Sequence, residues 1–70
     1  MNLYDLNGAI RCGHRVYKVR KYIVAKTAKQ ALDLFLVEHP HAKGIYIEYK
    51  YEVRAEKEAH IVFTNLQKRP

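Results

Sequence analysis

Basic residues and tyrosines are interleaved along the first third of the chain, a combination that can bind nucleic acid. Residues 1–26 contain six lysines and arginines and a single carboxylate, Asp5. Lysine and arginine neutralise phosphates, and tyrosine rings such as those of Tyr17 and Tyr22 can stack on unpaired bases. A smaller group of basic residues lies near residue 70. The predicted nucleic-acid-binding residues are Arg11, Arg15, Lys18, Arg20, Lys21, Lys68 and Arg69.

Part of this charge could be neutralised within the fold. The formal net charge is +6, residues 27–44 are balanced, and residues 45–58 contain one more carboxylate than basic residues. If the first two long strands are neighbours, Lys18 and Arg20 share a face with Glu48 and Glu52, and cross-strand ion pairs can form. Other basic residues, Arg11 among them, would still be unbalanced.

Three of the six tyrosines cluster on one predicted strand and form a candidate interaction surface: Tyr46, Tyr49 and Tyr51. Tyrosine is common in recognition surfaces because it brings a large contact area at little cost in rotamer entropy. It is equally common as an ordinary strand residue with a buried ring and a solvated hydroxyl. The second interpretation is favoured for Tyr49 and Tyr51, and both stay open for Tyr46.

The residues that could support metal binding or catalysis are sparse. The pairs Cys12 and His14, and His39 and His41, are each two residues apart, a spacing that could place two ligands on one side of a strand. Nothing brings the two pairs together, so turn histidines and a half-buried cysteine are the favoured interpretation. The chain has no serine, and its carboxylates lie in runs of alternating charge. We therefore expect no enzyme activity, no catalytic residue, no metal and no cofactor.

The segment from Gly44 to Ala55 has the clearest secondary-structure pattern. Apolar and aromatic residues occupy the odd positions from Ile45, and charged residues occupy the even positions from Glu48. This period of two predicts a long strand with one buried and one solvated face. A second such pattern, at residues 15–25, places Tyr17, Val19, Ile23 and Ala25 on one face, interrupted by Lys21.

The remaining segments complete a small α+β fold. Thr27 and Gln30 form a capping box that begins a helix over residues 28–38, and Pro40 requires the helix to end by His39. Residues 60–64 predict a third strand with Ile61 and Phe63 facing inwards, and residues 65–70 predict a polar tail. The first 14 residues are less regular, with Asn7-Gly8 favouring a hairpin turn and Gly13 a second turn.

The fold class predicted from these elements is α+β. We expect a single-layer sheet of three to four strands, in the order β-α-β-β with a possible N-terminal strand or hairpin, packed on one α-helix. The whole chain of 70 residues forms one domain, and the strand order is left open. A single cysteine, no secretory signal and no apolar run of membrane-spanning length favour a cytoplasmic protein without a membrane partner.

The lengths of these elements suggest an uncovered apolar surface. An eleven-residue helix rises about 16 Å, whereas an eleven-residue strand extends roughly 36 Å. The rest of the apolar row could be covered by a second copy of the chain, by another partner, or by four N-terminal residues: Leu3, Tyr4, Leu6 and Ile10. The predicted function is a small basic binding module, without enzyme activity, that contacts nucleic acid or a nucleoprotein assembly. The alternative is a protein-interaction or inhibitor module of the accessory type. It would dock through the uncovered sheet edge, as a homodimer or on an acidic protein.

Overall fold

A computed structural model describes the backbone of residues 1–68 and the side chains of residues 1–65. It contains four strands and one helix: β1 (Asn2–Cys12), β2 (Arg15–Ala25), α1 (Ala28–Glu38), β3 (Lys43–Glu52) and β4 (His60–Lys68). The prediction of an α+β fold with a small sheet and one helix is confirmed. The element order is β-β-α-β-β, so the N-terminal strand that was only a possibility is a full element of the sheet.

The sheet is antiparallel throughout, with the spatial order β3-β1-β2-β4. The N-terminal strand β1 therefore lies between β2 and β3, and α1 connects those two strands across it. The last strand pairs with the outer side of β2, which answers the question of strand order. Strand β4 also continues to Lys68, through most of the segment predicted to be a polar tail.

The predicted hairpin turn at Asn7-Gly8 is wrong, because both residues lie within β1 and pair with β2. The turn forms instead at Gly13-His14, where Gly13 has a φ of 65°, a left-handed conformation that favours glycine. Gly8 has a packing role. A Cβ atom at this position would lie 3.1 Å from Cζ of Phe35, so the absence of a side chain lets the helix approach the sheet.

The helix begins and ends where the sequence predicts. The hydroxyl of Thr27 accepts a hydrogen bond from the Gln30 amide at 3.1 Å, and the amide of Lys26 donates to Gln30 Oε1 at 2.8 Å. The capping box is thus formed with the amide before Thr27 rather than that of Thr27 itself. The helix packs on one face of the sheet through Ala31 and Phe35, which are both fully buried.

The core lies between this helix and the sheet. Its buried apolar residues are Tyr4, Leu6, Val19, Ile23, Ala25, Ala31 and Phe35. Three of the four N-terminal residues proposed to cover the core, Tyr4, Leu6 and Ile10, instead form it or pack against it from the central strand. No helix within residues 1–68 has the length and apolar character needed to cross a membrane.

Strand β3 contains an irregularity that changes its predicted pattern. Tyr4 pairs with Tyr49 but Leu3 pairs with Tyr51, so Lys50 is an extra residue on β3. Such a bulge moves the side chains beyond it to the other face. Tyr51 consequently leaves the apolar row of Ile47 and Tyr49, and the strand ends at Glu52 instead of Ala55.

Candidate nucleic-acid interface

The face of the sheet that turns away from α1 has no covering element among the described residues, and we call it the open face. The pairing of the strands gives five cross-strand rows on it, here in the order β3, β1, β2, β4. The rows are Arg11 and Val16; Lys43, Ala9 and Lys18; Tyr46, Asn7, Arg20 and Asn65; Glu48, Asp5, Tyr22 and Phe63; and Tyr51, Leu3, Val24 and His60. Successive rows are two residues apart along β1 and β2, or about 7 Å.

One end of the open face is basic. Arg11, Lys18 and Lys43, which we call the basic end, are exposed and form no ion pair with any residue that the structure describes. Ala9, Arg11 and Lys43 line one shallow depression at this end. Lys18 and Arg20 line a second depression, together with the amide side chains of Asn7 and Asn65. Unpaired cations and amide donors thus share one surface.

Arg20 and Asp5 form a two-point ion pair in the middle of the open face. Arg20 donates from Nε to Asp5 Oδ1 at 3.0 Å and from Nη2 to Asp5 Oδ2 at 2.6 Å. The Asp5 side chain is 3% exposed and that of Arg20 is 44% exposed. The hydrogen bonds from Arg20 hold the pKa of Asp5 below its ordinary value, and a weaker bond from Asn7 acts in the same direction. Arg20 is therefore a cation of fixed orientation that still reaches solvent.

Aromatic residues follow on the next rows. The guanidinium of Arg20 lies 5.2 Å from the ring centroid of Tyr22, and the Tyr22 ring lies 5.7 Å from that of Phe63. Tyr51 is 60% exposed and Phe63 is 47% exposed. We call Tyr22, Tyr51 and Phe63 the aromatic end of the open face. A groove at this end is lined mainly by apolar side chains: Leu3, Tyr22, Val24, Tyr51, Val53 and Val62, with Glu56 at its side.

The three tyrosines of the candidate interaction surface lie on the edge strand β3, and all are more than half exposed. Tyr46 and Tyr51 belong to the open face, and Tyr49 lies on the helix side. The Tyr49 ring packs edge-on against Tyr4, with ring centroids 6.1 Å apart. Tyr49 and Tyr51 thus do not have the buried rings that the favoured interpretation gave them.

Two predicted nucleic-acid-binding residues lie on the helix side instead. Arg15 is exposed at the hairpin end of β2, opposite Cys12. Lys21 is 1% exposed, and its ammonium donates to Glu38 Oε2 at 2.6 Å and to Thr64 Oγ1 at 2.9 Å. The hydrogen bond from Lys21 lowers the pKa of Glu38. The side chain of Lys68 and all of Arg69 lie outside the described residues.

The ion pairs expected between β2 and β3 do not form, because β1 lies between these strands. Glu48 pairs with Lys50 at 3.2 Å, and Glu52 pairs with Arg54 at 3.1 Å, both within β3 and the residues after it. Arg20 pairs with Asp5 of β1, and Lys18 is left without an ionic partner among the described residues. The charge of the basic end is therefore not consumed by the carboxylates of β3.

Sequence reasoning missed several residues of this face. Phe63 was expected to face the core with Ile61, but Tyr22 pairs with Phe63 and Ile23 with Ile61, which leaves Val62 as an extra residue of β4. This bulge places Phe63 on the open face. Lys43 was also missed, because its position depends on an irregularity of β3 around Gly44, where φ is 61°. Asn65 could have been found from the alternation of β4, had the strand been extended beyond Thr64.

The Cys12 and His14 pair flanks an exposed turn, and His41 is exposed in the loop after α1. Within residues 1–68 no group of three or more histidine, cysteine, aspartate or glutamate side chains is arranged to hold a metal ion. Comparisons of the chain with protein-family models, curated proteins and solved structures found no match.

Proposed function

We propose that this protein acts by binding nucleic acid, without catalysis, through the basic end of the open face. The observation that carries the proposal is that Arg11, Lys18 and Lys43 lie on one uncovered sheet face and form no ion pair with a carboxylate of the described residues. Cations placed in this way neutralise phosphates and release condensed counterions, which is the main source of sequence-independent affinity. The amide groups of Asn7 and Asn65 add hydrogen-bond donors for phosphate, sugar or base edges.

Arg20 contributes in a different way from the three residues of the basic end. Its charge is balanced locally by Asp5, so its addition to the long-range field is small. Its guanidinium is held in place by two hydrogen bonds, and 44% of the side chain is exposed. A preorganised guanidinium loses less entropy on binding phosphate or a base edge than a free one does. We therefore assign Arg20 a positioning role and the three unpaired residues the electrostatic role.

A binding experiment with matched charge variants tests this proposal. The test variant combines Arg11→Gln, Lys18→Gln and Lys43→Gln, and the control combines Lys29→Gln, Arg54→Gln and Lys57→Gln, which are exposed residues outside the basic end. Both lose the same net charge. We expect fluorescence anisotropy with a short labelled oligonucleotide to show salt-dependent binding by the wild type. The slope of log affinity against log salt should fall by about 2 in the test variant and much less in the control.

Two results would contradict the proposal. One is the absence of binding by the wild type at low salt. The other is an equal loss of affinity in both variants, because binding would then follow the net charge of the protein and not this face. Circular dichroism of each variant confirms that the fold is retained. Since all six substituted side chains are exposed, little change in stability is expected.

A second candidate function is that of a protein-interaction or inhibitor module, and β3 is the observation that favours it. This ten-residue strand forms an edge of the sheet, and Tyr46, Tyr49 and Tyr51 are all more than half exposed along it. An edge strand offers unpaired backbone groups to another strand, and tyrosines add contact area. The partner would be a second copy or an acidic protein. Light scattering that shows a dimer, lost when a proline replaces Ile47, would support it.

A further inference from the structure

Along the strands, the residues of the open face change gradually from basic to aromatic. Lys18 and Tyr22 lie four residues apart on β2, or about 13 Å, with Arg20 between them. The guanidinium of Arg20 stacks over the Tyr22 ring at 5.2 Å, and Phe63 packs against the same ring at 5.7 Å. Cations for phosphates and rings for bases thus share one surface, and Arg20 lies between them, since it contacts the Tyr22 ring and lines a depression with Lys18.

From this arrangement we infer that the ligand is single-stranded nucleic acid. Its phosphates would lie along the basic end, and its unpaired bases would stack on Tyr51 and Phe63 of the aromatic end. The inference rests on the proposed function and adds the strandedness of the ligand. It also assigns base stacking to Tyr51 and Phe63, whose role does not depend on charge. Base-aromatic stacking tolerates any sequence, because every base has a flat face.

The shape of the surface supports a single strand over a duplex. A duplex is read by a helix or a two-stranded ribbon that enters the major groove. The only helix among residues 1–68 packs on the opposite face of the sheet, so no helix is presented beside the basic end. The strands β1 and β2 are flanked by β3 and β4 over most of their length, so the open face is a broad sheet and not a two-stranded ribbon. A base in a duplex is covered by its neighbours, and the exposed rings of Tyr51 and Phe63 could not reach its flat face.

The composition of the face also favours nucleic acid over a protein partner. An apolar partner or a second copy could cover Tyr51, Val62 and Phe63, but it would leave the row of Lys43 and Lys18 without matching charges. A single strand carries both a negative backbone and apolar base faces. It therefore satisfies both ends of the open face at once, which makes it the better match.

An abasic oligonucleotide separates this inference from the proposed function, because it keeps the phosphates and removes the bases. The probes are a mixed-sequence single strand, an abasic strand of equal length and a duplex of the same sequence. The test variant combines Tyr51→Leu and Phe63→Leu, which remove rings but keep apolar side chains. Tyr49→Leu is the control, because this tyrosine lies on the same strand and faces the helix side. Thermal unfolding confirms that each variant is folded.

We expect the wild type to bind the single strand at least tenfold more tightly than the abasic strand, since stacking of each base contributes substantially to affinity. The test variant should lose that preference, and Tyr49→Leu should keep it. Equal affinity for the three probes would overturn the inference and leave electrostatic binding intact, whereas binding to none would remove the proposed function as well. A dimer that forms without nucleic acid, and dissociates in the test variant, would identify the aromatic end as a protein interface and also overturn the inference.

Discussion

The ammonium of Lys21 lies 2.6 Å from Glu38 Oε2 and 2.9 Å from Thr64 Oγ1, so a single buried cation connects β2, the end of α1 and β4. The side chain of Lys21 is 2% exposed, and the side chain of Glu38 is 47% exposed. A buried charge is tolerated only when it is paired and hydrogen-bonded. Lys21, which interrupts the apolar row of β2, therefore holds the C-terminal end of α1 against the sheet.

Removal of Glu38 and removal of Lys21 should lower the free energy of unfolding by different amounts. Glu38→Ala leaves a buried ammonium with Thr64 as its remaining partner among the described residues, and we expect a loss of about 2 kcal/mol in the free energy of unfolding. Lys21→Met should cost less, about 1 kcal/mol, because the exposed carboxylate of Glu38 can then be hydrated. Urea denaturation measures both. The double variant should resemble Lys21→Met, and a larger cost for Lys21→Met than for Glu38→Ala would contradict the assignment.

His39, the residue that follows α1, should make stability depend on pH near neutrality. Burial lowers the pKa of His39, with the nearby charge of Lys21 acting in the same direction, and Nε2 is buried without a hydrogen-bond partner among the described residues. The unfolded chain therefore binds a proton more readily than the folded protein, and stability should fall as the pH decreases below about 6.5. Denaturation at several pH values between 7 and 5.5 tests this. His39→Gln should remove the dependence, whereas substitution of the exposed His41 should leave it in place.

Gly8 should be needed for the contact between α1 and the sheet. Gly8→Ala would place a Cβ atom 3.1 Å from Phe35 Cζ and 3.4 Å from Ile45 Cγ1, and we expect a cost of about 1–3 kcal/mol. In a Phe35→Leu background, Gly8→Ala should lower the free energy of unfolding clearly less, because the ring atom that the new Cβ atom approaches is absent. Gly13→Ala is the matched control. Its cost of roughly 1 kcal/mol comes from the left-handed backbone, so Phe35→Leu should not change it. Equal costs for Gly8→Ala in both backgrounds would rule out the contact as the cause.

Asp5→Asn should lower the stability of the fold at neutral pH but not at strongly acidic pH. Arg20 holds the pKa of Asp5 below its ordinary value of 3.8, so the carboxylate stabilises the folded protein above that pH. This contribution is lost as the pH falls through the folded-state pKa. The difference between wild type and Asp5→Asn should thus shrink in acid. A difference that stays constant down to the acid limit would mean that lost packing, not lost charge, explains the variant.

The same substitution should strengthen nucleic-acid binding. Asp5→Asn ends the preorganisation of Arg20, but it also removes a negative charge from the open face and lets a phosphate take the place of the carboxylate. At low salt we expect the change in charge to outweigh the lost preorganisation. We expect a several-fold tighter complex at low salt, with a difference that shrinks as salt is added. Anisotropy at a temperature where the variant is folded measures it. Weaker binding than that of the wild type would show that Arg20 must be held by Asp5 to act.

Much of the local structure follows from the sequence, because its causes lie within a few residues. The capping box at Thr27 and the proline after His39 place both ends of α1 correctly, since caps and steric blocks act over one turn. The alternation in residues 15–25 gives β2 its full extent. The unbalanced charge of Arg11 is also visible in the sequence, and the structure leaves Arg11 without an ionic partner among the described residues.

The tertiary structure alone decided which strands are neighbours and which side chains share a face. The insertion of β1 between β2 and β3 gave Arg20 the partner Asp5 and separated Lys18 from Glu48. A one-residue shift in register exchanges the two sides of a strand. The bulges at Lys50 and Val62 therefore place Tyr51 and Phe63 on the open face. The sequence determined that basic and aromatic residues are present. Only long-range pairing, which no local pattern encodes, placed them together on one uncovered surface.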